Sequence, residues 1–251
     1  MRELTLGRVL LYAVIAGLTA GLLVTLFHAV ITEPVIDQAI ALEEQRAAQN
    51  PTAEADHHEA PIVSREFQKS GGLLIGYLFY GTTWALIFTL VFFPLQSRLA
   101  RFGPWRGALL LAELVWWAII LVPFIKYPAN PPAVGDPETI GYRQSIYLTL
   151  LVLSAGSTAL VIWFGGRLAQ QIRQPRWLVV GAGLLVVGAT LVLLMPPNPD
   201  MITAPADLVF DFRVRSLLGL TLFWAMFGAV FGWLARRNAR RATSPSAVAA
   251  S

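Results

Sequence analysis

Runs without a single Asp, Glu, Lys or Arg lie between Arg8 and Glu33, Lys69 and Arg98, Arg143 and Arg167, Arg176 and Asp200, and Arg215 and Arg236. Between Lys69 and Glu113 the only charged residues are Arg98, Arg101 and Arg106, which divide that stretch and set off a further apolar window. A bilayer core about 30 Å thick is crossed by roughly 20 apolar residues rising ~1.5 Å each, so six windows of this kind predict six crossings. Composition agrees: of 251 residues 56% are hydrophobic and 14% charged, with mean hydropathy +0.60, which excludes an ordinary soluble domain.

The expected fold is an all-α, polytopic membrane protein with six transmembrane helices at about 9–31, 72–94, 107–125, 145–166, 177–195 and 214–234. These form a single domain over 1–236 with an extramembrane outer loop 32–71, followed by a disordered basic C-terminal tail, 237–251. The first apolar run is longer than the ~7–15 residues of a signal h-region and no small-residue cleavage site closes it, so it is expected to remain in the mature protein.

Arginine placement predicts orientation. Arg2, Arg8, Arg98, Arg101, Arg106, Arg167, Arg173, Arg176, Arg236, Arg237, Arg240 and Arg241 fall on one side, with Glu3 the one acid among them. The other side holds thirteen carboxylates against seven basic residues. Basic residues of short loops are retained in the cytoplasm, so both termini are expected there, with loops 32–71, 126–144 and 196–213 outside, in a bacterial inner membrane. The net charge of +4 reflects this topology, and neither a basic groove nor interleaved aromatics suggest nucleic acid. Without cysteine there are no disulfides and no thiolate metal or redox chemistry.

Apolar helices in lipid associate through small residues, packing and a few polar side chains. Gly17 and Gly21, Gly72 and Gly76, and Gly228 and Gly232 form Gly-x-x-x-Gly pairs, and Gly181, Gly183 and Gly188 thin the fifth span. They suit packing within the chain or against another subunit. Ser154, Ser157 and Thr158 suit hydrogen bonds between helices or to their own backbone.

The loop "KYPANPPAVGDPETI" cannot continue the third helix through its prolines; it ends as a helix start, with Asp136 as cap, Pro137 at the first position and Glu138 in the first turn. In the loop before the sixth span, Asp207 and Asp211 are one helical turn apart, either binding a cation or leaving Asp211 to pair with Arg215. After Pro34, "VIDQAIALEEQRAAQ" predicts a short amphipathic helix on the membrane surface. The next stretch, "NPTAEADHHEAPIVSRE", has a tether's composition, and its His57 and His58 make it either a cation-capture segment or a solvated loop.

Two positions raise metal chemistry. Glu113 lies inside the third span, where an acid must face the bundle, find a partner or stay protonated; the alternatives are an ion pair with an inner-side arginine and an ion-path or proton-relay carboxylate. At the end of the first span, "LFHAVITEPVIDQA" offers His28, Glu33 and Asp37, with Pro34 as a means of gathering them. Imidazole and carboxylate suit a borderline divalent ion such as Co, Ni, Zn or Fe, and a full site needs Asp207, Asp211, water or a partner besides. The bland alternative is interfacial acids beside a packed histidine.

"FHAVITEPVIDQAIALEE", "GYLFYGTTWALIF", "PFIKYPANPPAVGDPETIGYRQ" and "DFRVRSLLGLTLFWAMFG", in this order along six spans, resemble the CbtA family of cobalt transporter subunits over nearly the whole chain. The resemblance implies uptake of divalent cobalt linked to cobalamin supply, and a small one-span CbtB partner with a histidine-rich tail. It implies no cofactor; cobalt is the transported ion. The sequence has no Gly-x-x-x-x-Gly-Lys-Ser/Thr, so a direct ATP drive belongs to another chain.

Two functions compete: a transporter or channel subunit whose route begins at His28, Glu33, Asp37 and the outer aspartates with Glu113 as inner station, and a non-conducting membrane scaffold. An enzyme is not expected, since the sequence has three histidines, His28, His57 and His58, and no nucleophile-base pair is visible.

Overall fold

The computed structural model describes residues 3–49, 63–132 and 134–242, and every regular element among them is helical. Helix α1 covers residues 6–49, as Leu6–Phe27, a wide π turn His28–Thr32 and Glu33–Gln49. Helix α2 covers 65–99, as Arg65–Phe67, a π turn Gln68–Gly72 and Leu73–Leu99. Helix α3 covers 104–126, as Pro104–Trp116, a π turn Trp117–Leu121 and Val122–Lys126. Then follow α4 (Ile140–Gln171), α5 (Arg176–Leu194) and α6 (Ala206–Ala242). All six are long and apolar enough to cross a membrane, as the uncharged windows required.

The helices overrun those windows. The helix expected after Pro34 is present as Glu33–Gln49, and it continues α1 without a break. Proline lacks an N–H and its ring presses on the carbonyl four residues back, and the wide turn just upstream relieves both, with the Glu33 N–H reaching the His28 carbonyl. The same device precedes Pro123, where the Val122 N–H reaches the Trp117 carbonyl. At the other end of the chain, α6 runs to Ala242, past position 237 where the sequence suggested disorder. Alanine and arginine favour helix, and Arg240 and Arg241 complement the negative helix terminus.

The chain divides into two compact units. One comprises Met1–Glu113 with Leu218–Ser251, and the other Leu114–Leu217.

In the first unit α1 and α2 pack antiparallel through backbone. A Cβ at Gly17 would collide with the Gly81 carbonyl, and one at Gly21 would come within 2.6 Å of the Tyr77 carbonyl oxygen. The mate of Gly17 is thus Gly81, whereas Gly76 faces open space. Gly228 and Gly232 of α6 seat Ala112 and Trp105 of α3. Between α2 and α6 runs an aromatic column: Tyr80 meets Phe223 at 4.8 Å, Trp84 meets Trp224 at 5.2 Å, Phe88 meets Phe227 at 4.9 Å and Phe92 meets Phe231 at 4.7 Å, all edge to face. Each such pair adds about 0.5–1.5 kcal/mol beyond simple burial, and this matters where lipid supplies no hydrophobic drive. At one end, the Gln96 amide bonds both backbone groups of Leu4, and Asn238 accepts from Arg8 and Tyr12.

In the second unit α4 and α5 pack antiparallel, with Gly165 under Val180 and Gly183 under Val161, while Gly188 seats Trp117. Gly181 faces open space. Ser157 bonds the Ser154 carbonyl of its own helix.

Candidate functional site

Glu33 and Asp37 are one helical turn apart on α1, and Arg65 and Lys69 are one turn apart on α2. Ser64 caps the start of α2 by accepting from the Phe67 N–H, which places Arg65 in the first turn. The four side chains interlock. Arg65 donates to Glu33 and, at 3.2 Å, to Asp37; Lys69 donates to the second Asp37 oxygen at 2.7 Å. The Glu33 side chain is 9% exposed and that of Asp37 43%, so the network runs from a buried carboxylate to a wet one.

His28 occupies the wide turn just before Glu33, and that turn directs its ring inward. Nδ1 lies 2.7 Å from the Thr32 hydroxyl, and the ring stacks on Tyr77 with centroids 5.2 Å apart and planes 10° from parallel. Among the described residues Nε2 is buried without a hydrogen-bond partner. It points at Gly219 of α6, where a Cβ would collide with it, so the imidazole fits only because position 219 has no side chain.

These geometries bear on each residue singled out in the sequence. Glu33 and Asp37 are brought together, but Arg65 and Lys69 occupy their oxygens, and among the described residues no group of three or more His, Asp or Glu is arranged to hold a metal ion. Asp211 pairs with Arg215 at 3.3 Å, while Asp207 is exposed in the first turn of α6. His57 and His58 lie outside the described residues. Glu113 does not face inward. Gly107, Ala108, Leu111 and Ala112 form the buried face of α3, which rotates Glu113 to the exposed side. Among the described residues it makes no hydrogen bond or ion pair, although an acid near a helix centre costs about 2.5–3.5 kcal/mol to insert.

Arg65 and Lys69 escaped the sequence reading, although their four-residue spacing matches that of the acids they meet. A second network was also missed. In the second unit Asp200, with a side chain 1% exposed, pairs with Arg143 at 2.9 Å and accepts from Thr139 at 2.6 Å. Arg143 also donates to the Asp136 carbonyl at 3.1 Å, and Asp136 caps as expected by accepting from the Glu138 N–H. Gly135 makes the approach possible: its φ is +118°, and a Cβ there would come within 2.6 Å of both Arg143 and Asp200. Tyr127 donates to the Pro196 carbonyl at 2.7 Å and Arg213 to Asn130 at 2.8 Å. Burial, and then the nearby Tyr142, pushes the Tyr127 hydroxyl above its ordinary value, so it stays a donor. The two proline-rich loops are therefore stitched into one cap.

A cavity in the first unit lies away from the ion pairs, lined by Leu4, Gln96, Gly103 and Asn238 among others. In comparisons with known proteins, a family described as "Probable cobalt transporter subunit (CbtA)" matches residues 6–236. No curated protein and no solved structure matches.

Proposed function

The chain belongs to the CbtA family of probable cobalt transporter subunits, and from that premise we propose that it is the membrane subunit of a cobalt uptake system serving cobalamin supply. The observation that carries this reading is a family match that takes in the apolar core of all six helices. In the proposal the chain sits in a bacterial inner membrane with both termini in the cytoplasm, the orientation that the arginine distribution favours. Its partner is a small single-span CbtB-type subunit with a histidine-rich tail.

Entry of the ion begins at Glu33 and Asp37. Their two negative charges are balanced by Arg65 and Lys69, and a divalent cation brings the same charge as those two side chains together. Exchange of one for the other leaves the site neutral, and it avoids leaving the buried Glu33 unpaired, the costly state. His57 and His58 would present the ion, and in the other unit Asp207 and Asp211 would offer oxygens to a cation of their own. His28 would follow as the nitrogen ligand once its ring leaves Gly219, and Glu113 would act in the assembled complex.

A second reading, a non-conducting membrane scaffold, is favoured by one observation: α2 and α6 are held together by a closely packed aromatic column. Cobalt accumulation separates the two, measured in cells with and without the small partner for the wild type, Glu33→Gln and Glu113→Gln. Loss of uptake in the variants at unchanged protein level supports the route. Undiminished uptake in both removes it.

A further inference from the structure

We propose that Glu113 marks the face of α3 on which a second membrane chain docks, and that the docking helix presents a cationic or hydrogen-bond-donating side chain to it. The proposal rests on the reading of this chain as one subunit of a larger transporter.

Position makes the residue unusual. Counting from Pro104, Glu113 lies about 13 Å along α3 at ~1.5 Å per residue, well inside a core ~30 Å thick. The opposite face of α3 is already used: Ala112 and Leu109 pack on Gly228, and Trp105 and Ala108 on Gly232. Glu113 and Arg106 are both exposed, two helical turns apart, with Leu110 between them on the same face. Arg106 is close to the helix start, where its guanidinium can reach the membrane surface. Glu113 has no such escape, and among the described residues nothing satisfies it. Lipid tails offer neither a donor nor a countercharge.

Charge decides between occupants. A second copy docking through this face about a two-fold axis would bring like carboxylates towards each other. A different chain with a donor at matching depth supplies the complement, and its own polar group is satisfied in turn, as buried polar side chains between membrane helices require.

A photoreactive amino acid is placed at Leu110, beside Glu113, or at Leu90 of α2, a control that is 73% exposed. The chain is co-expressed in whole cells with the small single-span CbtB-type subunit. Position 110 is expected to cross-link to the small chain and position 90 not. Glu113→Leu lowers the yield at position 110 about tenfold, whereas Glu113→Gln, which keeps a hydrogen-bonding group, lowers it less. Gel filtration in detergent checks that both variants remain folded. Equal yields from the two positions, no cross-link at 110, a cross-link at 110 to a second copy, or a yield indifferent to Glu113→Leu would each overturn the proposal. Cobalt accumulation in the same cells keeps the two readings apart. Uptake that needs both chains without a Glu113-dependent cross-link sinks the docking alone, and a Glu113-dependent cross-link without cobalt uptake sinks the transport reading alone.

Discussion

Gly17 of α1 and Gly81 of α2 stand so close that a Cβ on either would collide with the backbone carbonyl of the other. Their contact sets the separation of the helix pair that carries Glu33 and Arg65. Gly17→Ala or Gly81→Ala should destabilise the protein by about 1–3 kcal/mol through overpacking, seen as a lower Tm in detergent. Gly76→Ala, where a Cβ meets nothing within 4 Å, should leave Tm unchanged or slightly raised. Identical melting of Gly17→Ala and wild type would show that the helices separate without cost.

Arg65→Gln leaves Glu33, with its side chain 9% exposed, without its charge partner. The expected loss is on the order of 3 kcal/mol, and the double variant Glu33→Gln/Arg65→Gln should recover most of it. Lys69→Gln removes a pair whose side chains are 38% and 43% exposed, so its effect should stay within about 1 kcal/mol. Denaturation of the three variants gives this ordering directly, and equal losses for Arg65→Gln and Lys69→Gln would contradict the contrast in burial.

Gly219→Ala should expel the His28 ring from its place on Tyr77, lowering Tm more than Ala substitution at the open Gly181. His28→Phe keeps a ring to stack and removes a buried nitrogen without a partner, in exchange for the Thr32 contact. Its stability should therefore lie within about 1 kcal/mol of the wild type. Cobalt accumulation by this stable variant then tests the ligand role cleanly: retained uptake takes His28 off the route.

The stitched loops of the second unit should depend on Arg143 far more than on Tyr127. Arg143→Gln strips the partner from Asp200, whose side chain is 1% exposed, whereas Tyr127→Phe removes one hydrogen bond worth about 1 kcal/mol. Any substitution at Gly135 should resemble Arg143→Gln, since φ there is +118°. The pH dependence of the Tyr127 contribution follows from the upward shift of its hydroxyl. It is fully present below the ordinary tyrosine value of ~10 and is lost as pH rises through the higher folded value. Limited proteolysis between residues 127 and 139 measures both effects, and equal cleavage of Arg143→Gln and Tyr127→Phe would refute the ranking.

The sequence by itself determined the six helices and their order, because insertion in a bilayer depends on a sum over about 20 neighbouring residues and any rotation of the helix leaves that sum unchanged. It also determined local features written in adjacent residues, such as the Asp136 cap before Pro137, while the choice of Arg215 as the partner of Asp211 came from the structure. The same rotational indifference hid the rest. Where an apolar helix has no amphipathic stripe, as in α2, nothing says which face turns inward, so the choice of Gly81 rather than Gly76 as a contact emerges only from packing. Likewise, nothing near Glu33 or Asp200 in the chain reveals the guanidinium that answers it. Arg65 and Arg143 arrive from 32 and 57 positions away, brought by the register of neighbouring elements, and register is decided by how side chains fit between helices.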